Sequence, residues 1–331
     1  MGPPPMIRPE PRRAPRPLRA APAGPERPAG LVSTEASLDG RGFTAAAALW
    51  LFVVALARPV SGGWGTAQEA LCYWLPSLTD PYAHSSWTEP IAYVYSPAFL
   101  QLLGPIRWLP WPAFVGVWTA ILIAAVWLLT GPRWFLLGLG LAAMEIGGGN
   151  ISLLLAIAVV LGFRWPAAWA FVLLTKVTPG VGLLWFAVRG EWRHLGLALL
   201  ATAVVVAASA VAMPGAWLEW IEVLVRNAGR SGTWAAVPIP LALRLPGAVL
   251  LVVWGARTDR SWTVPVASLL ALPALWYGSF AMLLAVLPLV DRSAAATSPV
   301  GRWIAGRGVL GGPLGVRIRA ALGSGAPTRL A

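Results

Sequence analysis

The sequence predicts an all-α protein: a polytopic bundle of transmembrane helices, with short interfacial helices in its first outer loop. Composition is the first observation behind this prediction, because 57% of the 331 residues are hydrophobic and only 11% are charged. An average soluble domain carries about 25% charged residues, so this chain has too few polar side chains to cover a soluble core. The second observation is a series of long uncharged stretches, such as WTAILIAAVWLL at 118–129. Stretches of this kind are typical of helices that cross a lipid bilayer.

Two basic tails flank the apolar part of the chain and are predicted to lie in the cytoplasm. Residues 1–42 hold seven arginines against four acids, and residues 291–331 hold six arginines against one acid. The tails thus carry +8 of the net charge of +12. Basic flanks of apolar spans stay on the cytoplasmic side, so this distribution argues against nucleic acid as a partner. Ten of the first thirty residues are prolines and no signal-peptide core follows, which indicates a disordered first tail.

Residues 43–290 form the predicted transmembrane domain of a multi-pass plasma-membrane protein. Ten predicted crossings return the chain to its starting side, as two cytoplasmic tails require. The predicted spans are 43–60, 94–108, 112–130, 134–147, 151–163, 167–187, 195–213, 238–254, 262–275 and 277–290. On this topology Arg107, the RGEWRH segment at 189–194 and the ARTDR segment at 256–260 lie on the cytoplasmic side.

The loop at 61–93 is predicted to lie outside the cell, against the membrane surface. It contains no lysine or arginine but carries three acids, Glu69, Asp80 and Glu89. Its tryptophans favour short helices at the membrane interface over a free loop. The loop at 214–237 falls on the same side. Four arginines also fall outside on this topology, against the usual charge rule: Arg133, Arg164, Arg226 and Arg230.

Glu69 is the first candidate for chemistry. On a helix it would share one face with Tyr73, four residues later. A carboxylate held at an apolar boundary has a raised pKa and can serve as a general base, which contributes roughly 10²–10⁴ in rate. The alternative is an ordinary solvated acid that keeps the loop hydrated. The residues alone leave both interpretations open.

Lys176 is the second candidate, because it is the only lysine in the chain and falls near the middle of the predicted span 167–187. An ammonium at that depth costs roughly 2.5–3.5 kcal/mol and needs a polar cavity or a partner. Glu145 is the best intramembrane partner, and Pro179 weakens the helix beside the lysine. Lys176 is therefore either one half of a structural pair with Glu145 or a binding site for an anion.

Two further segments are candidates for substrate contact. YVYSPAF at 93–99 places two tyrosines before a Ser-Pro, so the rings either line a sugar site or only precede a helix start. GGGNIS at 147–152 is either a tight turn or a close backbone approach to a substrate. No cofactor or metal is expected, because His84 and His194 lack partners at ligand spacing. The single cysteine, Cys72, rules out an internal disulfide.

Taken in order, these segments resemble glycosyltransferase family 87, membrane enzymes of the GT-C type that include polyprenyl-phosphate-mannose-dependent mannosyltransferases. The resemblance runs from about residue 62 to residue 290. The family's first outer loop has an acid four residues before a tyrosine, then Asp-Pro-Tyr, which stand here as Glu69, Tyr73 and Asp80-Pro81-Tyr82. Its Tyr-x-Tyr-Pro-Pro and Lys-x-x-Pro elements stand here as Tyr93-Val-Tyr95-Ser96-Pro97 and Lys176-Val-Thr-Pro179.

Three positions depart from the family pattern. The acid of the first loop is usually Asp in the family, and Glu69 is one methylene longer. The Gly-Gln-x-Asn element lacks its glutamine, because Gly148 stands at that position. The late Trp-x-His element ends in Gly278 instead of histidine.

The resemblance implies a hexosyltransferase that moves a hexose, with mannose expected, from a polyprenyl-phosphate donor to a lipid-linked or glycan acceptor on the outer face. Glu69 would be the general base. Substrate contacts are expected from Tyr73, Asp80, Tyr82, Tyr93, Tyr95, Asn150, Lys176, Arg226 and Arg230. Which of Lys176, Arg226 and Arg230 binds the donor phosphate is left open. Two other classes also stay open: a transporter or flippase of a lipid-linked substrate, and an inactive scaffold subunit.

Overall fold

The computed structural model describes residues 2, 40–59, 65–85, 91–227, 237–290 and 298–301. Its described elements all belong to the unit Leu38–Ala331 and are α-helices or 3-10 helices, so the predicted all-α class is confirmed for that part. The α-helices are α1 Gly40–Leu56, α2 Gln68–Trp74, α3 Pro97–Arg107, α4 Trp111–Gly148, α5 Ser152–Gly162, α6 Trp169–Thr175, α7 Leu184–Val188, α8 Trp192–Ala212, α9 Pro214–Asn227, α10 Leu241–Thr258, α11 Thr263–Leu270 and α12 Leu287–Val290. The 3-10 helices are Pro166–Ala168, Thr178–Leu183 and Gly278–Val286. Both predicted tails lie almost entirely outside the described residues.

Three of the described helices are long and apolar enough to cross a membrane: α4, α8 and α10. Four other predicted spans, 43–60, 151–163, 167–187 and 277–290, coincide with shorter apolar helices, such as the 17 residues of α1 and the 11 residues of α5. The predicted count of ten spans is therefore not confirmed.

Helix α4 is a hairpin of two antiparallel arms, at 111–130 and 132–148. Its 38 residues are interrupted at Gly131, where φ is 65° and ψ is −179°, a conformation that strongly favours glycine. A Cβ added to Gly138 would lie 2.7 Å from Cγ2 of Thr130 and 2.9 Å from Cγ1 of Val126. In a straight helix residues 126 and 138 would stand about 18 Å apart. The two arms correspond to the predicted spans 112–130 and 134–147.

Contacts between the two arms of α4 distinguish the two ends of the bundle. The first, here called the α2 end, contains α2 and residues 107–111 and 147–150. The Trp118 indole in the first arm of α4 donates to the Gly149 carbonyl at 2.7 Å, which places the start of α4 beside the turn that follows it. The backbone N–H groups of Gly65 and Ala67 also donate to the Gly147 carbonyl there. The Arg189 end contains the turn at Gly131, residue Arg189 and segment 256–260. Helix α1 ends at the α2 end, since a Cβ on Gly65 would lie 3.1 Å from the Phe52 ring.

Helix α3 corrects one predicted crossing. Its 11 residues span about 16 Å, and contacts place both of its ends at the α2 end of the bundle. It begins where the Ser96 N–H donates to the Leu174 carbonyl, and it ends where the Arg107 guanidinium donates to the carbonyls of Trp74 and Pro76. The predicted span 94–108 is therefore wrong, and Arg107 lies at the α2 end instead of the cytoplasmic side.

The predicted span 167–187 is also wrong as a single crossing, because the chain folds back at Lys176. Helix α6 ends at Thr175, and a 3-10 helix starts again at Thr178. A Cβ on Gly182 would collide with the Trp169 ring, which places the two arms side by side. Lys176 is therefore at the tip of a hairpin whose arms return to the Arg189 end.

Charge is distributed unevenly between these ends among the described residues. The Arg189 end carries seven arginines and two acids: Arg41, Arg133, Arg164, Arg189, Arg193, Arg257, Arg260, Glu191 and Asp259. The α2 end carries four arginines, one lysine and five acids: Arg58, Arg107, Arg226, Arg244, Lys176, Glu69, Asp80, Glu145, Glu219 and Glu222. Arg133 and Arg164 thus join the basic end, and the predicted topology was wrong to separate them from it.

Candidate functional site

Helix α2 is held against the turn that follows α4. The turn residue Gly149 has φ 73° and lies so close to α2 that an added Cβ would meet Ala70 Cβ at 2.8 Å. Only glycine satisfies both demands without strain. The segment therefore forms a tight turn, one of the two interpretations left open, and Gly149 in it also packs closely against α2, which the sequence analysis did not predict.

A buried polar cluster forms where α2 meets the start of α3. The Tyr73 hydroxyl lies 3.3 Å from the Tyr95 hydroxyl and donates to Asn150 Oδ1 at 3.4 Å. Asn150 Oδ1 also accepts from the Ile151 N–H at 2.7 Å, which fixes the amide orientation. Burial raises the pKa of both tyrosines, so their hydroxyls stay neutral hydrogen-bonding groups.

Glu69 lies beside this cluster on the first turn of α2, and the expected helix places it on the face of Tyr73. The side chain of Glu69 is half-buried. The surrounding apolar helices nevertheless raise its pKa by desolvation, and the positive charge of Lys176 opposes that rise. A partly open carboxylate with a raised pKa has the properties of a general base.

Lys176 lies near two carboxylates without touching either. Burial opposes the charge on its amine, and the negative charges of Glu145 and then Glu69 lie close enough to favour it. Among the described residues, no carboxylate forms a contact ion pair with Lys176. The described contact ion pairs are those of Arg189, at the other end of the bundle. The lysine is half-buried, whereas Glu145 is only 1% exposed. Lys176 and Glu69 are therefore the accessible charges of this site.

Glu145 is sealed behind these groups, in the last turn of α4. One carboxylate oxygen accepts a hydrogen bond from the Ser152 N–H, and the other has no hydrogen-bond partner in the described structure. Gly278 covers that second oxygen, because a Cβ there would lie 2.8 Å from it and 3.1 Å from the Glu145 backbone. A side chain at position 278 would have no space.

Four predicted contact residues form no hydrogen bond with the side-chain hydroxyl and amide groups of this cluster, although the Tyr93 ring packs against the Tyr95 ring with 5.7 Å between their centroids. The hydroxyls of Tyr82 and Tyr93 donate to the backbone carbonyls of Tyr95 and Ser96, both at 2.8 Å, and so hold the segment that precedes α3. Asp80 and Arg226 are exposed, and no hydrogen bond links them to the cluster, whose members are all described. Arg230 lies outside the described residues.

Two of the residues that depart from the family pattern lie beside the site. A Cβ on Gly148 would lie 3.9 Å from Glu69 Cγ, so a glutamine at this position would project toward the longer acid. Gly278 similarly leaves space for Glu145. Each missing side chain therefore faces a glutamate in this chain.

Sequence reasoning missed the backbone partners that shape the site. Ser152 binds Glu145, and Arg107 anchors the end of α2 through the carbonyls of Trp74 and Pro76. The pairing of Arg107 has no sequence pattern, because its acceptors are main-chain oxygens. The Ser152 contact has none either, because its donor is the backbone N–H and not the hydroxyl.

The fold and the site together define a membrane protein whose apolar helices hold a buried polar centre at one end. The sequence model of glycosyltransferase family 87 matches residues 93–305, and the chain belongs to that family. It is thus a membrane glycosyltransferase by family. The match includes Tyr95, Asn150 and Lys176 and begins after α2 with Glu69. Neither a curated protein nor a solved structure matches the chain significantly.

Proposed function

We propose that this protein transfers a hexose, with mannose the expected sugar, from a polyprenyl-phosphate donor to a lipid-linked or glycan acceptor, with Glu69 as general base. The observation that carries the proposal is the presence of two half-buried charges of opposite sign at one end of an apolar bundle. Glu69 and Lys176 come from distant segments and act on each other electrostatically without forming a contact ion pair. Charges are rarely kept at such a position without a function.

The chemistry assigns each charge a role. The acceptor oxygen forms a bond to the anomeric carbon while the bond from that carbon to the phosphate oxygen breaks, with inversion. Glu69 receives the hydroxyl proton, and the polyprenyl phosphate leaves with the bonding electron pair. Lys176 stabilises the charge that grows on the phosphate, which is the larger electrostatic requirement of such a reaction.

The neutral hydroxyl cluster forms the floor of the proposed sugar site beside these charges. Tyr73, Tyr95 and Asn150 are at most 5% exposed and bond to one another, so they shape the site next to Glu69 from below. Aromatic rings surround them, with the rings of Tyr73 and Tyr95 5.3 Å apart. Hydroxyl-rich ligands are bound by this combination of fixed polar groups in an apolar frame.

The charge asymmetry supports an orientation in the plasma membrane. Basic segments remain in the cytoplasm, so the Arg189 end would face inward and the α2 end outward. Both termini would then be cytoplasmic, because α1 begins at the Arg189 end. A lipid-borne donor reaches such a site laterally from the outer leaflet.

Transfer of radiolabel tests the function. Membranes containing the protein are supplied with polyprenyl-phosphate [¹⁴C]mannose, and labelled lipids are extracted and compared with membranes lacking it. Protein-dependent labelling supports the proposal. Its absence with this donor and with a polyprenyl-phosphate glucose donor would remove it.

One observation favours the transporter class: the helix broken at Lys176, which resembles the discontinuous helices of transporters. Uptake of a labelled lipid-linked sugar into sealed vesicles, without chemical change of that sugar, would support this second candidate. Neither labelling nor uptake would leave the inactive scaffold subunit as the function.

A further inference from the structure

An apolar groove opens at the Arg189 end of the bundle, opposite the end that holds Glu69 and Lys176. It lies between helix α8 and the segment of the 3-10 helix Pro166–Ala168, and its volume is about 370 Å³. Pockets that bind ligands have volumes of roughly 300–1,000 Å³. One wall consists of Trp165, Pro166 and Ala167, and the other includes Leu197, Leu200 and Val204. The groove is therefore large enough for the apolar part of a ligand.

The groove follows a helix that faces lipid. Helix α8 is long and apolar enough to cross a membrane, and of its 21 residues only Ala198 and Ser209 are buried. Leu200 and Val204, which line the groove, are each 59% exposed. From residue 197 to residue 204 a helix rises about 10 Å. A hydrocarbon chain lying along α8 would thus fill the groove from the Arg189 end toward the middle of the bundle.

Two arginines flank the groove where it opens. The Arg164 guanidinium stacks over the Trp165 ring, 4.7 Å from the ring centroid, and this ring belongs to one wall. On the other wall, Arg193 stands four residues before Leu197, so both occupy one face of α8. Side chains on a helix tilt toward its N-terminus, which directs Arg193 to the opening. An anionic group at the opening would therefore meet two guanidinium groups.

The surroundings of the opening have the composition of a membrane interface. Trp192, the first residue of α8, is 66% exposed. Tryptophan is enriched where helices leave the hydrocarbon layer, at the level of the lipid headgroups. The two described acids of this end, Glu191 and Asp259, both bind Arg189. The opening thus combines an interfacial ring and positive charge with an apolar groove that continues into the bundle.

We propose that this groove binds one phospholipid with an anionic headgroup. The phosphate would lie between Arg164 and Arg193, and one acyl chain would lie between Pro166–Ala168 and α8. Charge complementarity selects this occupant, because a zwitterionic lipid offers the same chain without a net negative charge. Guanidinium groups suit a phosphate, since each presents paired N–H donors. The site goes beyond the proposed function, because it takes no part in sugar transfer.

Native mass spectrometry of the full-length protein in detergent tests this proposal. The protein is mixed with equal amounts of dioleoyl-phosphatidylglycerol and dioleoyl-phosphatidylcholine, and the retained lipids are counted. We expect the wild type to retain one phosphatidylglycerol in preference to phosphatidylcholine. In the double variant Arg164→Gln, Arg193→Gln the preference should fall about 25-fold, roughly five-fold for each basic residue at an anionic lipid surface. An unchanged preference in the folded double variant overturns the proposal.

Arg133→Gln is the matched control. The Arg133 guanidinium also stacks on a tryptophan at the Arg189 end, 5.2 Å from the Trp134 ring centroid, but neither residue lines the groove. The control should keep the wild-type preference. Arg193→Gln alone, at an exposed position, keeps the test decisive if the double variant does not fold. Equal losses in Arg193→Gln and Arg133→Gln would indicate a general effect of the basic end and contradict a discrete site.

A second pair of variants tests the groove without changing any charge. Ala167→Phe places a ring in one wall at an exposed position and should lower the retention of phosphatidylglycerol several-fold. Ala203→Phe is its control, because Ala203 is exposed on α8 and does not line the groove. Equal retention in the two variants would show that no acyl chain lies there and would overturn the proposal.

Polyprenyl phosphate added to the same mixture tests the other anionic lipid that this account includes. We expect it to leave the bound phosphatidylglycerol in place. Displacement at equal concentration would make the groove part of the donor's path and overturn the assignment to a phospholipid. No sugar transfer is measured in these experiments, so failure of this proposal and failure of the proposed function are distinguishable.

Discussion

Arg189 and Lys176, at opposite ends of the bundle, differ in whether they form contact ion pairs. At the Arg189 end, Arg189 binds Glu191 and Asp259, each at 2.9 Å, and the Ala256 carbonyl at 3.1 Å. At the α2 end, Lys176 has two carboxylates nearby and no described contact pair. Contact pairs hold segments together, whereas unpaired charges at membrane depth are costly and are retained for ligands. The comparison separates an end held by contact ion pairs from the end where the proposed catalytic site lies.

The largest effect should come from Glu69→Gln. The amide cannot accept the acceptor proton, so transfer should fall by roughly 10²–10⁴, the usual contribution of a general base. The measurement is kcat for labelled hexose transfer in proteoliposomes. Glu222→Gln, at the same end but exposed, should retain wild-type activity. Equal loss in both variants would point to a general effect of charge instead of a base.

The next effect should come from Lys176→Ala. Removing a preorganised cationic donor from the leaving phosphate should lower kcat/KM for the donor by about 10²–10³. Lys176→Arg retains the charge and should recover part of the activity. If Arg226→Ala, at the same end, caused the larger loss, the phosphate would be bound by α9 instead.

A smaller effect is expected in the pH profile of the wild type. Burial raises the pKa of Glu69, and a base must be ionised to act. Activity should therefore fall with decreasing pH at a value above the 4.5 of an ordinary glutamate. The residual activity of Glu69→Gln should not show this fall at low pH. If the variant lost activity at the same pH as the wild type, the fall would be caused by the titration of another group.

The sequence predicted the helical class and singled out several residues that lie together in the candidate site. Uncharged stretches mark apolar helices, and the predicted spans 112–130 and 134–147 correspond to the two arms of α4, which are separated at Gly131. The meeting of Glu69, Tyr73, Tyr95, Asn150 and Lys176 also follows the predicted order of segments.

Hydropathy could not reveal which apolar segments turn back. Segments 94–108 and 167–187 have the composition of spans, but contacts at their ends decide whether they cross. For α3 that contact is Arg107 on main-chain carbonyls. The hydroxyls of Tyr82 and Tyr93 likewise bind carbonyls that no sequence pattern identifies. Each of these interactions depends on the backbone path instead of residue type.

The smallest effect should come from Arg189→Ala at the other end. Its ion pairs are partly exposed, with 48% of the Asp259 side chain accessible, so each contributes at most about 1 kcal/mol. Thermal unfolding in detergent should occur at a slightly lower temperature, with KM for the donor unchanged. A raised KM would contradict the placement of the donor site at the α2 end.

The orientation of the two ends tests the central claim most directly. Cys72 is buried, so exposed positions must carry the probe: Leu78→Cys at the α2 end and Thr258→Cys at the Arg189 end. Intact cells are treated with a membrane-impermeant maleimide, and the wild type gives the background. We expect Leu78→Cys to react in intact cells and Thr258→Cys to react only after lysis. The reverse pattern would place the Glu69 site in the cytoplasm and contradict the account.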